Sequence, residues 1–134
     1  MSETAGPLEG LRILLVDDDE DNLDAVATLL EMNGAEVRCC PTVANAREEW
    51  TAFRPHLLVS DLAMPGDNGF DLILGIRQLP PEEGGELPAI AFSASTDQVT
   101  RERAIECGFQ AFVSKLDIPL LLPAILACTA HGLS

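Results

Sequence analysis

The sequence predicts an α/β fold in which five β-α units build a doubly wound, five-stranded parallel sheet with helices on both faces. Three observations predict it. Short runs rich in Leu, Ile and Val alternate five times with stretches whose apolar residues recur at helical spacing. The runs are almost continuously apolar, as strands covered on both faces must be. Four of them stop abruptly at a polar or charged residue, which marks the carboxyl rim of such a sheet.

In chain order, Leu11 to Val16 is the first strand, and it ends at Asp17-Asp18-Asp19-Glu20-Asp21-Asn22. Leu23, Val26, Ala27 and Leu30 then form a helical stripe closed by Gly34. Glu36 to Cys40 is the second strand. Pro41-Thr42 caps a helix carrying Val43, Ala46 and Trp50, and Phe53-Arg54-Pro55 ends it. His56 to Val59 is the third strand, running through Ser60 into Asp61 and the Pro65-Gly66 turn. Phe70, Leu72, Ile73 and Ile76 give the next helix, up to Leu79, followed by an acidic loop over Pro80 to Glu86. Leu87 to Phe92 is the fourth strand, ending at Ser93; Thr96 or Asp97 caps a helix through Ile105 that Gly108 stops. Gln110 to Ser114 is the fifth strand, ending at Lys115, and Ile118 to Ala130 is the last helix.

The chain has 134 residues, enough for one domain with a real core, expected over residues 11–131 with a tail at 132–134. Eight Lys and Arg against 22 Asp and Glu give a net charge of −14. Such a surface argues against direct contact with nucleic acid or an anionic membrane, both of which need clustered cations. A cationic partner or a bound metal suits it better. Residues 1–10 have neither a basic start nor an apolar run, so they are read as a flexible lead-in and not as a secretory signal. Cys39, Cys40, Cys107 and Cys128 show no CxxC spacing and are expected to be reduced residues of a cytoplasmic protein.

The strand ends carry the chemistry. Asp17 and Asp18, Asp61, Ser93 and Lys115 all emerge at one edge, and with the first and third strands adjacent, three carboxylates converge. An unpaired cluster of that kind repels itself. Mg²⁺ resolves the repulsion, because it takes one or two carboxylates together with waters and phosphate oxygens. A carboxylate nucleophile, a hydroxyl and an ammonium are the remaining parts of a phosphoryl-transfer site.

On these residues the chain resembles the receiver domains of two-component response regulators, from Leu11 to about Ala127. The matching positions are Asp17-Asp18, Asp61 in Ser60-Asp61-Leu62-Ala63-Met64-Pro65-Gly66 followed by Gly69, the pair Ser93-Ala94, and Lys115. The resemblance implies a flavodoxin-like strand order 2-1-3-4-5. It implies that Asp61 accepts a phosphoryl group from a phosphohistidine on a sensor histidine kinase or a histidine phosphotransfer domain. Asp17, Asp18, Asp61 and the backbone carbonyl of Ala63 are the implied Mg²⁺ ligands, and Lys115 and Ser93 the implied phosphoryl-oxygen partners. Movement of Ser93 is implied to let Phe112 turn inward and alter the face of the fourth helix, fifth strand and fifth helix. In that reading the protein is a bacterial signalling domain that catalyses only its own phosphorylation and dephosphorylation, with small residues at Ala63 and Ser95 leaving water access to the site.

Two positions depart from the family pattern. Leu116 follows Lys115 where proline is usual; a cis bond before a non-proline residue costs about 3 kcal/mol, so this peptide is expected to be trans or strained. Phe112 stands where tyrosine is common. The last helix is also unusual: from Ile118 to Ser134 there is no Asp, Glu, Lys or Arg. It is expected to pack on a partner, a second copy or a neighbouring domain, and Pro119 and Pro123 make it too short and broken to span a membrane.

Other readings fit less of the sequence. A phosphatase of the haloacid-dehalogenase type would use the Asp17-x-Asp19 spacing but leaves the Asp61 motif unexplained. A pseudo-receiver would keep the fold as an interaction module. A calcium loop over Asp17-x-Asp19-x-Asp21 fails at Asn22 and Thr28. His56 and His131 lack a partner ligand at metal spacing.

Overall fold

The structure, a computed structural model, describes residues 6–64 and 66–129. Ten regular elements alternate: β1 (Arg12–Val16), α1 (Glu20–Met32), β2 (Glu36–Cys40), α2 (Val43–Phe53), β3 (Leu57–Ser60), α3 (Gly69–Arg77), β4 (Ala89–Ser93), α4 (Gln98–Cys107), β5 (Ala111–Ser114) and α5 (Leu121–Thr129). All strand pairs are parallel and the order is β2-β1-β3-β4-β5, the flavodoxin-like order. Since β1 sits between β2 and β3, the chain reverses its winding direction there, and the ends of β1 and β3 face one crevice.

Side-chain alternation along the central strands splits the core into two layers. Leu14, Val16, Leu58, Ala89 and Ala91 pack against Val43, Ala46 and Phe53 of α2, Leu72, Ile73 and Ile76 of α3, and Ala104 of α4. Ile13, Leu15, Leu57, Val59, Ile90 and Phe92 pack against Leu23, Val26, Ala27 and Leu30 of α1 and Leu121 and Ile125 of α5. Every residue of β3 and β4 is buried, whereas edge strand β2 is largely exposed. Cys39 and Cys40 point to opposite faces, one exposed and one buried, and all four thiols are free. Burial, with Glu49 and Cys39 nearby, pushes the Cys40 thiol up to about 12. Burial together with Glu31 and Asp24 also raises that of Cys39, so neither is a thiolate at neutral pH.

The caps are where the polar residues announce them. Asp19 accepts the N–H groups of Asp21 and Asn22, Thr42 accepts that of Asn45, and Asn68 forms a reciprocal capping box with Asp71. Of the two candidates for the α4 cap, Asp97 is used, accepting from the N–H of Thr100 at 2.8 Å.

Several elements differ from expectation. The lead-in is docked over residues 6–10: Leu8 is 2 % exposed and its N–H bonds the carbonyl of Asn33 at 2.8 Å. Residues 1–5 lie outside the described part, as do Pro65, Ala130, His131 and the tail at 132–134. The last helix begins later than its composition suggests. Lys115–Leu120 is a 3₁₀ segment with Asp117 at non-helical angles, and α5 proper starts at Leu121. Pro119 has no N–H to give an α-helical ladder, while Pro123 is tolerated in the first turn of α5, where no such bond is needed. Leu116 and Leu120 of the 3₁₀ segment are exposed. No described helix is long and apolar enough to cross a membrane.

Candidate functional site

The crevice at the carboxyl ends of β1 and β3 gathers the acids. The backbone N–H of Asp61 bonds the carbonyl of Val16 at 2.8 Å and that of Asp17 bonds the carbonyl of Cys40 at 3.1 Å, so the sheet ladder itself sets the spacing of the two carboxylates. Asp17 is 1 % and Asp61 6 % exposed, and Asp18 is open to solvent. Each of the three presents a carboxylate oxygen, and these oxygens lie within 4.8 Å of one another.

Local bonds aim the carboxylates. The N–H of Asp19 donates to Asp17 Oδ1 at 3.0 Å, and that of Ala63 to Asp61 Oδ1 at 3.3 Å. The other oxygen of each faces Lys115, whose Nζ lies 2.8 Å from Asp17 Oδ2 and 3.1 Å from Asp61 Oδ2. One ammonium thus bridges two buried carboxylates. Burial raises the pKa of Asp61 above the usual carboxylate value, and Lys115 only partly offsets it. Burial works against the Lys115 ammonium too, but Asp17 and Asp61 together outweigh it and the lysine pKa rises.

The Lys115-Leu116 peptide is trans, no cis bond occurring among the described residues, and the lysine still reaches both acids. The side chain is therefore not displaced by the absence of proline. Leu116 projects into solvent.

Asp17 Oδ2 is buried and close enough to Lys115 for an ion pair, yet lies off the line of a hydrogen bond. It retains acceptor capacity. With exposed Asp18 alongside, the donor set is three hard oxygens with solvent access on one side, which fits a small divalent cation such as Mg²⁺.

Ser93, at the end of β4, is 4 % exposed, and its Oγ accepts from the N–H of Ser95 at 3.1 Å. Its hydroxyl bonds within its own loop and not to the carboxylates. Phe112 on β5 is half-buried, with the Arg101 guanidinium of α4 4.8 Å from its ring centre. The sequence reading missed Arg101, because contact between α4 and β5 is a tertiary matter that no spacing encodes.

Gly69 was legible as a motif position, but its reason is steric. A Cβ built there would lie 2.1 Å from the carbonyl oxygen of Asp61 and 3.0 Å from Leu62 Cα. Alanine at a helix start is favourable by propensity, by up to about 1 kcal/mol. A backbone clash at this distance outweighs it. Gly69→Ala is expected to lower the unfolding free energy by about 2 kcal/mol and to disturb the peptide that carries Asp61. Urea denaturation checks this; an increase in stability would show that propensity governs.

Comparison with known proteins agrees with this geometry. The profile of the response regulator receiver domain family matches residues 13–126. An uncharacterized 14.6 kDa protein of Leptolyngbya boryana is 41 % identical over 115 residues, covering 86 % of each chain. A probable histidine kinase 4 of rice is 32 % identical over 82 % of this chain, which spans only 13 % of that protein. Among solved structures, a putative response regulator from Chloroflexus aurantiacus superposes with a TM-score of 0.83 at 25 % identity, covering 90 % of this chain and 98 % of that one. With the family profile spanning most of the chain and the acids grouped where such a fold places its site, this protein belongs to the response regulator receiver domain family.

Proposed function

We propose that this receiver domain works by phosphorylation of Asp61. The carrying observation is the bridging of buried Asp17 and Asp61 by Lys115, with Asp18 beside them. An Asp61 carboxylate oxygen attacks the phosphorus of a phosphohistidine; the P–N bond breaks and the imidazole leaves, taking a proton from water. Burial and the neighbouring acids raise the energy of the unphosphorylated Asp61 anion, and the Lys115 ammonium is placed to follow the charge onto the phosphoryl oxygens. Asp17, Asp18, Asp61 and the carbonyl of Ala63 would hold Mg²⁺, which neutralises charge on those oxygens when bound.

Ser93 supplies a hydroxyl at the neighbouring strand end. Its Oγ accepts the Ser95 N–H, which leaves the O–H to donate to a phosphoryl oxygen when Ser93 turns toward it. That local change biases Phe112 and, through it, the face formed by α4, β5 and α5. The donor is a sensor histidine kinase or histidine phosphotransfer domain, a reading that the similarity to a histidine kinase supports. The uncharged α5, together with exposed Leu116 and Leu120 of the 3₁₀ segment that leads into it, is the surface offered to a second copy or a neighbouring domain. Four free thiols fit a cytoplasmic setting.

Intact mass after incubation with Mg²⁺ and acetyl phosphate tests the chemistry. One phosphoryl adduct is expected that requires Mg²⁺, is labile to hydroxylamine and is absent from Asp61→Asn. No adduct on a folded, Mg²⁺-binding native protein would favour the pseudo-receiver reading.

A further inference from the structure

We propose that the cleft at the amino-terminal edge of the sheet, opposite Asp61, is a binding site for an organic carboxylate with an apolar body. The cleft has a volume of about 960 Å³, is floored by the buried Leu72, Ile76 and Leu87, and lies where β1 and β3 begin. That size and lining suit a small amphiphilic ligand.

The argument rests on what the cations of this acidic chain do. Arg38 pairs with Glu49, Arg47 with Asp67, and Lys115 with Asp17 and Asp61. Arg77 is satisfied by carbonyl oxygens, and Arg101 and Arg103 lie over aromatic rings. Arg12 and Arg54 remain, and both line this cleft. Arg12 spends its Nε on the carbonyls of Phe53 and Arg54, each at 2.9 Å. Its terminal nitrogens, and the whole Arg54 guanidinium, meet no acceptor among the described residues. His56 Nδ1 accepts the Arg12 N–H at 2.9 Å, which leaves the ring proton on Nε2 as a further donor. Two guanidinium groups on one cleft lining, unpaired in a chain with 22 acids, offer anion-binding donors, and a guanidinium fork matches a carboxylate.

Glu82, Glu83 and Glu86, from the loop after α3, also line the cleft. They repel a polyanion, so a ligand with one anionic end and a neutral body is favoured. Gly75 gives a second, independent indication. It lies inside α3, where glycine is disfavoured, and a Cβ there would meet nothing within 4 Å. No neighbour in the chain requires it, but a side chain would narrow the cleft it lines.

Trp50 also lines the cleft and is the single tryptophan of the chain, so its fluorescence reports on occupancy. Titration of the full chain with octanoate, without Mg²⁺, is expected to give a saturable change in Trp50 emission. Octanamide and inorganic phosphate are expected to bind at least tenfold more weakly. Arg54→Gln should weaken octanoate at least tenfold, and Gly75→Leu, which the open space accommodates, should abolish the change while circular dichroism stays native. Asp61→Asn should leave it unaltered, separating this site from the phosphorylation chemistry. Absence of saturation, equal binding of octanamide, or native affinity in both cleft variants would each overturn the proposal.

Discussion

Arg77→Ala is expected to lower the free energy of unfolding by about 3 kcal/mol, among the largest single losses available outside the apolar core. Arg77 ends α3 and ties that helix to two other stretches of chain. Its Nε and Nη2 donate to the carbonyl of Gly108 at 3.0 and 2.7 Å, and its Nη1 to those of Gly85 and Leu87 at 3.0 and 2.9 Å. Leu87 and Gly85 are buried, so truncation strands acceptors that water reaches poorly. Each unsatisfied buried carbonyl costs about 1–3 kcal/mol. Gly108 is part of the arrangement: a Cβ there would lie 2.8 Å from Arg77 Cγ, and its φ of +128° is one that L side chains rarely adopt. Lysine keeps the charge but not the planar fork, so Arg77→Lys should recover less than half of the loss. Urea unfolding is the measurement, with a midpoint shift of about 1.5 M at an m-value of roughly 2 kcal/mol/M. A shift under a quarter of that would mean the carbonyls find water.

The contrast between Arg77 and the acidic crevice shows what a one-dimensional reading can reach. Asp17, Asp61, Ser93 and Lys115 were legible because each ends or directly follows a strand, and parallel strands bring their carboxyl ends to one rim whatever the loops do. The core was legible for a similar reason: burial on both faces leaves continuous runs such as Ile13 to Val16 and Ala89 to Phe92. Arg77 sits at the end of an apolar helical stripe, where a cation normally faces solvent or the helix dipole. Its partners are 8 to 31 residues away, and only the closed fold brings them within reach. Leu8 was hidden in the same way, since one leucine among polar neighbours has no period, yet it docks under Asn33. The 3₁₀ segment after Lys115 was obscured by composition: leucines and isoleucine at helical spacing outweighed two prolines in the reading, although the prolines set where the α-helix starts.

The acidic crevice also carries a trade between stability and chemistry, and two substitutions should move stability in opposite directions. Lys115→Met is expected to destabilise the fold by about 3 kcal/mol at pH 7, because it leaves two buried carboxylates facing each other without their cation. The loss should shrink as the pH falls toward the carboxylate range, where protonation removes the uncompensated charge, and saturating Mg²⁺ should restore more stability to this variant than to the native chain. Asp61→Asn should instead stabilise by about 1 kcal/mol at pH 7. Burial raises the Asp61 pKa above its unfolded value. The stability linked to its protonation is present below the unfolded pKa and is lost as the pH rises through the folded one. At neutral pH the native fold therefore holds an anion it disfavours, and the amide relieves that. In the double variant most of the Lys115→Met loss should vanish, since only Asp17 then lacks a partner. Thermal or urea unfolding of the four proteins closes the cycle. A neutral Lys115→Met, or additive effects in the double variant, would show that water already screens the pair and that Lys115 does not hold the acids together.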